Sequence, residues 1–470
     1  MTETIEACKT DLNQLVPPEI FRAYDIRGVY GEQLSEPGIE LIGRSIGSEA
    51  RSLGITTLLV GRDGRLSSPS LCKHLIQGIR SSGCAVVDLG IVPSPLLYFA
   101  THTTKWNSGV MLTASHNPAS YNGIKMVFKR ACLADNQIQR IRQRIVDNKL
   151  SNGSGGYETL DLKQDYIDKI RQTVPLSRPV RIVLDCGNGA TAVVAQELFE
   201  ALGCDVTPLY CDLDGRFPNH PPDPTRKENL RGLAAEVLEQ QADLGLAFDG
   251  DGDRLGVVTN TGKPVDTDSV LAVLIKSILP SYPGEAVVYD VKCSSRLTML
   301  IQKLGGHAVM HRSGHSFMKQ EMEATQAPLG GEFSAHIFIR DRWYGYDDGM
   351  YTGVRLLEIL ADSDKSADQL FAVLGPRSAT EELSVPVAEA EKFALVEAIL
   401  ARADFPDARL VTIDGLRAEF ADGWGLVRAS NTSAALLLRF EADNDQALER
   451  IQQHFKSLLL DVAPELQLHF

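Results

Sequence analysis

Three aspartates alternate with glycines in the motif DGDGD at 249–253, which follows an apolar run at 244–248. Carboxylates held this close repel one another unless a cation lies among them. A set made only of oxygen ligands favours Mg²⁺ over Zn²⁺, which prefers histidine and cysteine. Three carboxylates also leave coordination positions for water or a phosphate oxygen. The spacing therefore predicts that Asp249, Asp251 and Asp253 hold a magnesium ion, with a solvated acidic turn as the alternative.

A calcium-binding EF-hand is the other acidic motif to consider. Its loop needs glycine at the sixth position and glutamate at the twelfth, where this chain has Arg254 and Asn260. The aspartates also follow a predicted strand and not a helix. These differences exclude an EF-hand, and Arg254, directly after the aspartates, favours a role that involves a phosphate group.

A hydroxyl nucleophile, Ser115, lies in a second polar segment at 113–118, directly after the apolar run 110–112. Segments of this composition are also ordinary turns. A phosphoryl group on Ser115 would supply the anionic oxygen that the predicted magnesium site leaves open. The two segments together predict phosphoryl transfer through Ser115. The adjacent His116 is expected to orient the loop, with general base as the alternative.

The composition limits the classes of protein to which the chain can belong. Its 470 residues suffice for three or four domains, and 44% hydrophobic with 23% charged residues is typical of packed globular cores. A net charge of −14 excludes a general nucleic-acid or membrane-surface binder. Eight cysteines are scattered without a CxxC pair, and no apolar stretch reaches the roughly 18 residues of a membrane span. We expect a reduced cytoplasmic protein, monomeric or weakly oligomeric, with no nucleic-acid or membrane partner.

Predicted strands and helices alternate along most of the chain. The first cycle has strands at 57–60 and 84–89 and helices at 38–53 and 68–82, and similar cycles begin at residues 180 and 264. Such alternation predicts βαβ units with mainly parallel sheets, whose ligands collect at the C-terminal ends of strands. A segment without apolar residues at 151–156 is predicted to be a flexible linker. From residue 377, a different order of predicted helices and strands indicates an α+β module with an antiparallel sheet.

Four motifs, in chain order, carry a resemblance to a known family: TASHNP at 113–118, DGDGDR at 249–254, GEFSAH at 331–336 and RASNT at 428–432. They resemble the four signature loops of the α-D-phosphohexomutase superfamily, one in each of its four domains. The resemblance therefore covers nearly the whole chain. FRAYDIRG at 21–28 and WYGYDDG at 343–349 are most similar to the bacterial bifunctional phosphomannomutase/phosphoglucomutase subgroup.

The resemblance implies a fold and an activity. The fold would be three similar mixed-sheet α/β domains plus a C-terminal α+β domain around a central cleft. The implied domains are 1–156 for the phosphoserine, 157–262 for the magnesium loop, 263–375 for sugar recognition and 376–470 for phosphate binding. The implied enzyme is an isomerase that interconverts the 1- and 6-phosphates of mannose, glucose or both. It would use Mg²⁺, a phosphoserine and a hexose 1,6-bisphosphate as intermediate and activator.

The resemblance also implies roles for single residues. Ser115 would carry the phosphoryl group and act as a metal ligand beside the three aspartates. Proton transfer would involve Arg27 and Lys125, which match positions near the phosphoserine, or His336. A lysine base needs a depressed pKa, and the alternatives are a solvated strand-end lysine and a loop histidine. The residues implied to bind substrate are Tyr24, Arg254, Lys292, Gly314, His315, Glu332, Ser334, His336, Arg428, Ser430, Asn431 and Thr432.

Two positions depart from the bifunctional subgroup, which usually has methionine and glycine where this chain has Phe333 and Ala335. The larger ring and the added methyl group are expected to tighten the sugar-binding loop. Phosphoglucosamine mutase therefore stays an alternative, whereas His336 argues against the N-acetylglucosamine-phosphate mutases. A non-catalytic phosphosugar-binding protein of the same fold is a second alternative. A phosphatase is a third, but it would have no use for a second phosphate site.

Overall fold

The computed structural model describes residues 12–431 and 433–470, so the predicted phosphate ligand Thr432 lies outside the described residues. The chain divides into two compact units. The first unit consists of the described residues up to Ser277 together with Ser334–Phe371. The second consists of Ile278–Phe333 and Ala372–Phe470. Among the described residues, no helix combines the length and apolar composition needed to cross a membrane.

Strands and helices alternate through most of the chain, as the sequence predicts. The strands are β1 (Ile26–Val29), β2 (Thr57–Arg62), β3 (Ala85–Ile91), β4 (Gly109–Leu112), β5 (Tyr121–Phe128), β6 (Ala131–Cys132), β7 (Tyr157–Thr159), β8 (Arg181–Asp185), β9 (Asp205–Leu209), β10 (Leu244–Phe248), β11 (Leu255–Thr259), β12 (Pro264–Val265), β13 (Ala286–Asp290), β14 (His307–His311), β15 (Leu329–Gly331), β16 (Ile337–Ile339), β17 (Ser378–Ala379), β18 (Leu383–Pro386), β19 (Arg409–Val411), β20 (Leu416–Phe420), β21 (Gly423–Ala429) and β22 (Ala435–Ala442). The α-helices are Glu36–Ser52, Ser68–Ser81, Ser94–Thr103, Asn136–Val146, Lys163–Thr173, Ala195–Ala201, Arg231–Glu239, Thr267–Ile278, Ser295–Lys303, His315–Thr325, Gly349–Ala361, Ala367–Phe371, Lys392–Arg402 and Asp445–Val462.

The same strand topology occurs three times. In the first sheet, β2 pairs in parallel with both β3 and β4, and β4 forms an antiparallel pair with β5. In the second sheet, β8 takes the place of β2, with β9 and β10 parallel to it and β11 antiparallel to β10. In the third, β13 pairs in parallel with β14 and β15. The predicted repetition of an α/β domain with mixed sheets is confirmed.

The polar motifs follow strands that hold equivalent places in the repeat. The segment with Ser115 joins β4 to β5, the three aspartates join β10 to β11, and residues 332–336 join β15 to β16. Each motif therefore begins at the C-terminal end of a strand that runs parallel to its central neighbour. In such sheets this end is where loops gather polar groups.

The C-terminal part of the second unit is an antiparallel sheet with the order β17-β22-β21-β20-β19, and β18 also pairs with β22. Its core is formed by alternate strand residues and by one face of the helices Lys392–Arg402 and Asp445–Val462. The last helix begins at Asn444, whose side chain accepts a hydrogen bond from the backbone N–H of Ala447 at 3.0 Å, a standard N-cap. The predicted α+β module is confirmed.

The prediction of a flexible linker at 151–156 is wrong. Gly153 and Gly155 donate backbone hydrogen bonds to the carbonyl oxygens of Ser81 and Arg80, at 2.9 and 2.8 Å. The Arg80 side chain donates in return to the Gly155 oxygen at 2.9 Å. A Cβ on Gly155 would lie only 1.9 Å from the carbonyl oxygen of Cys84. The glycines of this segment thus permit close packing against the first domain. Directly after the segment, the chain continues as β7, which pairs with β3 at the edge of the first sheet.

This packing predicts different effects for two neighbouring substitutions. Gly155→Ala places a methyl group against a backbone oxygen that cannot move aside, and we expect it to lower the free energy of unfolding by about 2–3 kcal/mol. Gly156→Ala is the matched control, because its Cβ would meet only the Ala85 Cβ at 3.9 Å. Urea denaturation measures both variants. Equal stability of the two variants would restore the linker hypothesis.

Candidate active site

The Ser115 side chain is positioned by an unusual backbone conformation. Its φ is +50°, in the left-handed region that costs an L-residue about 1–2 kcal/mol. The backbone N–H of Ser115 donates to the Thr113 hydroxyl at 2.9 Å, and the residue is buried with 2% exposure. The tight turn directs the Ser115 hydroxyl toward the loop between β10 and β11, where it donates to Asp249 Oδ2 at 2.6 Å.

The aspartate loop packs directly on the Ser115 segment. A Cβ on Gly250 would lie 2.4 Å from the Ser115 carbonyl oxygen, so a glycine between the first two aspartates is required by the close approach. Asp249 Oδ1 accepts from the backbone N–H groups of Gly252 and Arg254 at 2.9 and 3.2 Å. The two loops form one compact polar cluster within the first unit.

The other two aspartates are bridged by a lysine. Asp251 Oδ2 accepts from the Ser94 hydroxyl at 2.6 Å and from Lys125 Nζ at 2.7 Å, and Lys125 also pairs with Asp253. All three aspartates have zero exposure. Burial, and then the charges of Asp253 and Asp251, raise the pKa of Asp249 well above its ordinary value. The cluster therefore carries more buried negative charge than its contacts compensate.

The donor set fits a hard divalent cation such as Mg²⁺. One oxygen from each aspartate lies within 4.8 Å of the other two. Asp251 Oδ1 and Asp253 Oδ1 are buried and accept no hydrogen bond from any described residue. Buried carboxylate oxygens without a donor are costly unless a cation binds them. The predicted ligands Asp249, Asp251 and Asp253, with the Ser115 hydroxyl beside them, are thus assembled at one point.

Lys125 lies within this cluster, on β5 directly beside β4. Burial lowers its pKa, but the charges of Asp251 and Asp253 outweigh that effect and raise the pKa above its ordinary value. A lysine held in its charged form offsets part of the negative charge of the aspartates. This direction is opposite to the depressed pKa that a lysine base needs.

His336 faces the same cluster. Its Nε2 atom accepts a hydrogen bond from Arg254 Nε at 3.1 Å, while its Nδ1 atom lies 3.1 Å from Asp347 Oδ2 and 3.6 Å from Asp253 Oδ1. Because Nε2 is the acceptor, a neutral imidazole carries its proton on Nδ1, the atom that lies beside the Asp347 carboxylate. The hydrogen bond from Arg254 thereby selects the tautomer of the ring.

Arg27 reaches the Ser115 segment from β1, which pairs with β5. Its guanidinium donates to Asn117 Oδ1 at 2.5 Å and pairs with Asp25. Tyr24, the predicted ligand that precedes this pair, is partly exposed. The structure thus brings Arg27 to the loop of the predicted nucleophile, as the resemblance implies.

The remaining predicted ligands lie mainly in the second unit. Glu332 Oε1 accepts from the backbone N–H of Gly314 at 2.6 Å. Asp290, at the end of β13, holds both segments: its carboxylate accepts from the Phe333 backbone N–H at 3.2 Å and from the Ser313 hydroxyl at 2.7 Å. His315 follows at the first turn of the helix His315–Thr325.

Arg428, the second-last residue of β21, lies close to the segment of Ser313. Its Nε donates to Asp414 Oδ2 at 2.9 Å, and that oxygen also accepts from the Ser313 backbone N–H at 3.0 Å. Ser430 and Asn431 follow directly at the turn after β21. The guanidinium, hydroxyl and amide groups expected to bind a phosphate are therefore adjacent.

Phe333 is packed against cations in the second unit. The Arg439 guanidinium carbon lies 3.6 Å from the ring centroid and the Lys292 ammonium 5.9 Å from it. Lys292 also lies 3.2 Å from Glu382 Oε2. A phenyl ring at this position supplies a cation–π surface. It fixes Lys292 and Arg439 beside the loop of Glu332.

Ser334 and Ala335 belong to the first unit. Ala335 is buried with φ +70°, so its methyl group occupies a strained backbone conformation that glycine would adopt freely. The strain is located directly before His336.

Comparison with known proteins agrees with this arrangement. Four family profiles described as phosphoglucomutase/phosphomannomutase match in order: alpha/beta/alpha domains I, II and III at 18–152, 164–262 and 266–376, and the C-terminal domain at 382–458. The chain belongs to the phosphoglucomutase/phosphomannomutase family. The predicted superfamily membership is confirmed.

Curated and solved members of this family align along almost their whole length. A phosphomannomutase/phosphoglucomutase of Pseudomonas putida is 50% identical over 97% of this chain and 98% of its own. A phosphoglucomutase of Neisseria gonorrhoeae is 44% identical over 94% and 96%. The crystal structure of a phosphoglucomutase/phosphomannomutase family protein from Burkholderia thailandensis superposes with a TM-score of 0.93 at 44% identity, over 97% of this chain and 100% of that one.

Sequence reasoning missed Arg65, which fastens the Ser115 segment. The side chain has 1% exposure. Its two terminal nitrogens donate to the carbonyl oxygens of Ser115 and Asn117 at 2.7 Å each, and of Pro118 and Tyr121 at 2.5 and 3.2 Å. Its Nε donates to Asp63 at 3.0 Å. The two terminal nitrogens thus hold the loop in its left-handed turn, while Nε fastens the guanidinium to Asp63. The only sequence signal was the position of Arg65 after a strand.

Asp347, Asp290 and Asp414 were also missed. Asp347 lies in the quoted motif WYGYDDG, but a carboxylate in a motif does not by itself identify its partner. Asp290 had a usable signal, because Asp185 ends β8 at the equivalent point of the preceding repeat. Asp414 is in a turn of the C-terminal module, where nothing in the sequence indicates its contact with Arg428.

Arg65 is predicted to hold the segment through geometry and not through charge alone. Arg65→Lys keeps a cation beside Asp63 but loses the planar fork that reaches four carbonyl oxygens. We expect the free energy of unfolding to fall by about 2–4 kcal/mol, because buried acceptors lose their donors. The partly exposed Arg62, substituted in the same way, is the matched control. Equal urea midpoints for both variants would contradict this role.

The His116 ring predicts a pH dependence of stability. Burial, and then the charges of Arg254 and Arg27, lower the pKa of His116 well below its ordinary value. The unfolded chain therefore binds a proton at higher pH than the folded one, and the stability contributed by His116 is lost as the pH falls below about 6.5. Relative to His116→Gln, which does not titrate, the wild type should lose stability between about pH 7.5 and pH 5.5 in urea denaturation. A constant difference would contradict the prediction.

Proposed function

We propose that the chain is a hexose phosphate mutase that interconverts the 1- and 6-phosphates of mannose, glucose or both. The observation that carries the proposal is the 2.6 Å hydrogen bond from Ser115 to Asp249 inside a buried carboxylate cluster. A nucleophilic hydroxyl at a magnesium-type site is suited to phosphoryl transfer. The names of the relatives with 44–50% identity support the substrate class.

The proposed reaction transfers two phosphoryl groups, one in each of two steps. In the first step the bond between Ser115 Oγ and phosphorus breaks, Oγ takes up a proton, and a bond from phosphorus to the free sugar hydroxyl forms as that hydroxyl loses its proton, which gives a hexose 1,6-bisphosphate. After the sugar has turned end for end, Ser115 Oγ loses its proton and takes the other phosphoryl group, and the sugar oxygen that is released takes up a proton. When bound, Mg²⁺ neutralises charge on the group in transfer. Asp249, Asp251, Asp253 and the Ser115 oxygen are the proposed ligands.

The proton of the attacking hydroxyl is proposed to move to His336. Its ring lies beside Asp347, which would stabilise the imidazolium. Arg254 occupies Nε2 in this structure, so the role requires Arg254 to turn toward a substrate phosphate. Lys125 and Arg27 are proposed to hold charge near the transferred group, which their contacts with the aspartates and with Asn117 support.

Substrate binding is proposed for the ligands that the sequence analysis names. Glu332 and Ser334 suit the sugar hydroxyls, whereas Arg428, Ser430 and Asn431 suit the phosphate that is not reacting. Tyr24, Lys292, Gly314, His315 and Thr432 complete the proposed set. The cation–π contacts of Phe333 support a firmly held sugar loop.

A coupled assay on the phosphorylated protein tests the proposal. Glucose 1-phosphate, mannose 1-phosphate and glucosamine 1-phosphate are offered separately, with a trace of glucose 1,6-bisphosphate and with Mg²⁺. We expect turnover of the first two, loss of turnover on chelation, and a loss of at least about 1,000-fold in Ser115→Ala, which lacks the covalent carrier. The exposed Ser120→Ala on the same loop is the control.

Other outcomes would replace the proposal. Turnover of glucosamine 1-phosphate alone would identify a phosphoglucosamine mutase. Binding of the sugars without any turnover would identify a phosphosugar-binding protein. Activity retained in Ser115→Ala would overturn the phosphoserine mechanism. A cytoplasmic location and a monomeric or weakly oligomeric state stay predictions from the sequence.

A further inference from the structure

Two cysteine sulfurs meet at the C-terminal ends of neighbouring strands, away from the residues assigned above. Cys186 follows β8 and Cys211 follows β9, and these strands pair in parallel. The two Sγ atoms are 3.3 Å apart. Cys186 is fully buried, whereas Cys211 is partly exposed. Of the two residues, Cys211 is therefore the one that is partly open to solvent, and its sulfur is in contact with that of Cys186.

The pair differs from three buried cysteines elsewhere in the chain, Cys72, Cys84 and Cys204. Burial raises the pKa of Cys72 and Cys204 to about 12 and that of Cys84 to about 11, so these thiols stay protonated and unreactive. The hydrogen-bond contact between the two thiols lowers the pKa of Cys211. An accessible thiol beside a second thiol is the arrangement in which a disulfide forms.

The pair is connected to the aspartate loop by one short turn. Four residues after Cys186, the backbone N–H of Ala190 donates to the Gly250 carbonyl oxygen at 2.9 Å. A Cβ on Gly189 would lie 2.9 Å from the same oxygen. On the other side, the Asn188 backbone N–H donates to the carbonyl oxygen of Tyr210, the residue before Cys211, at 2.9 Å. A displacement of Cys186 is therefore passed to Gly250 through backbone contacts.

We propose that Cys186 and Cys211 form a reversible disulfide and that this modification slows the reaction at the aspartate loop. With hydrogen peroxide, the Cys211 thiolate attacks one oxygen, the O–O bond breaks, and the sulfur becomes a sulfenic acid while the other oxygen leaves as hydroxide. The Cys186 thiol then attacks the sulfenic acid sulfur, the S–S bond forms, and the sulfenic oxygen leaves as water. With a low-molecular-weight disulfide, two exchange steps give the same bond and two free thiols.

The bond requires a small movement with a defined direction. An S–S bond is about 2.05 Å long, so the sulfurs must approach by roughly 1.3 Å. The turn at 187–190 is packed on Gly250 and has little space to absorb this shift. Since misplacement of a catalytic group by about 1 Å can reduce a rate about 100-fold, we expect a loss of turnover of about tenfold.

The test uses the full-length protein, treated with oxidised glutathione or hydrogen peroxide, alkylated and mapped by mass spectrometry. We expect a peptide pair linked through Cys186 and Cys211 that disappears with dithiothreitol. Cys211→Ser should lack the link. Cys204→Ala, at a buried cysteine directly before β9, is the matched control and should keep the link.

Mutase turnover is measured on the same samples. The expected result is a loss of turnover in oxidised wild type and Cys204→Ala, restored by dithiothreitol and absent in Cys211→Ser. The absence of the linked peptide, or irreversible oxidation of Cys211 alone, would overturn the proposal. An equal loss in Cys211→Ser would overturn its effect on the loop. The expected loss of turnover rests on the proposed function, whereas the mapping of the disulfide does not. Failure of the proposed function and failure of the disulfide proposal can therefore be distinguished.

Discussion

The first unit depends on one constraint: the negative charge of three buried carboxylates has to be compensated. Asp249, Asp251 and Asp253 have no exposure to solvent, and their mutual repulsion would unfold the loop without positive partners. The protein supplies Lys125 as a charge and Ser94 and Ser115 as donors. These partners come from separate elements of the first α/β domain, so the domain has to fold before the loop can be stable.

The repeated topology explains why these partners meet. Each repeat has an aspartate at the C-terminal end of its central strand, either as the last strand residue, Asp185 and Asp290, or directly after it, Asp63. Each of these carboxylates accepts hydrogen bonds from the turn that follows its strand, such as the 2.8 Å bond from Gly187 to Asp185. In the first repeat the aspartate orients Arg65 beneath the nucleophile, and in the third it holds the Phe333 backbone. An aspartate in the same place of the repeat thus supports both the Ser115 segment and the Phe333 segment.

Strain is placed where the chemistry is proposed. Ser115 and Ala335 both adopt left-handed backbone conformations, and each is adjacent to a predicted acid–base or orienting histidine. Such conformations persist only when surrounding contacts determine them, as the four carbonyl contacts of Arg65 do for Ser115. As a result, the backbone of the proposed nucleophile Ser115 is held in position, and its hydroxyl donates to Asp249.

The sequence by itself determined the class of the domains, their repetition and the location of the candidate reactive loops. Alternating strands and helices have strong periodicity, and DGDGD and TASHNP are local motifs in which the chemistry depends on adjacent residues. Only the tertiary structure decided which distant residues contact these loops and each other. Arg65 is 50 residues from Ser115, and Cys186 is 25 residues from Cys211, so neither contact leaves a local pattern. The segment 151–156 shows the same limit, because glycines that permit flexibility and glycines that permit close packing are identical in sequence. Only the neighbouring backbone of Cys84 distinguishes the two.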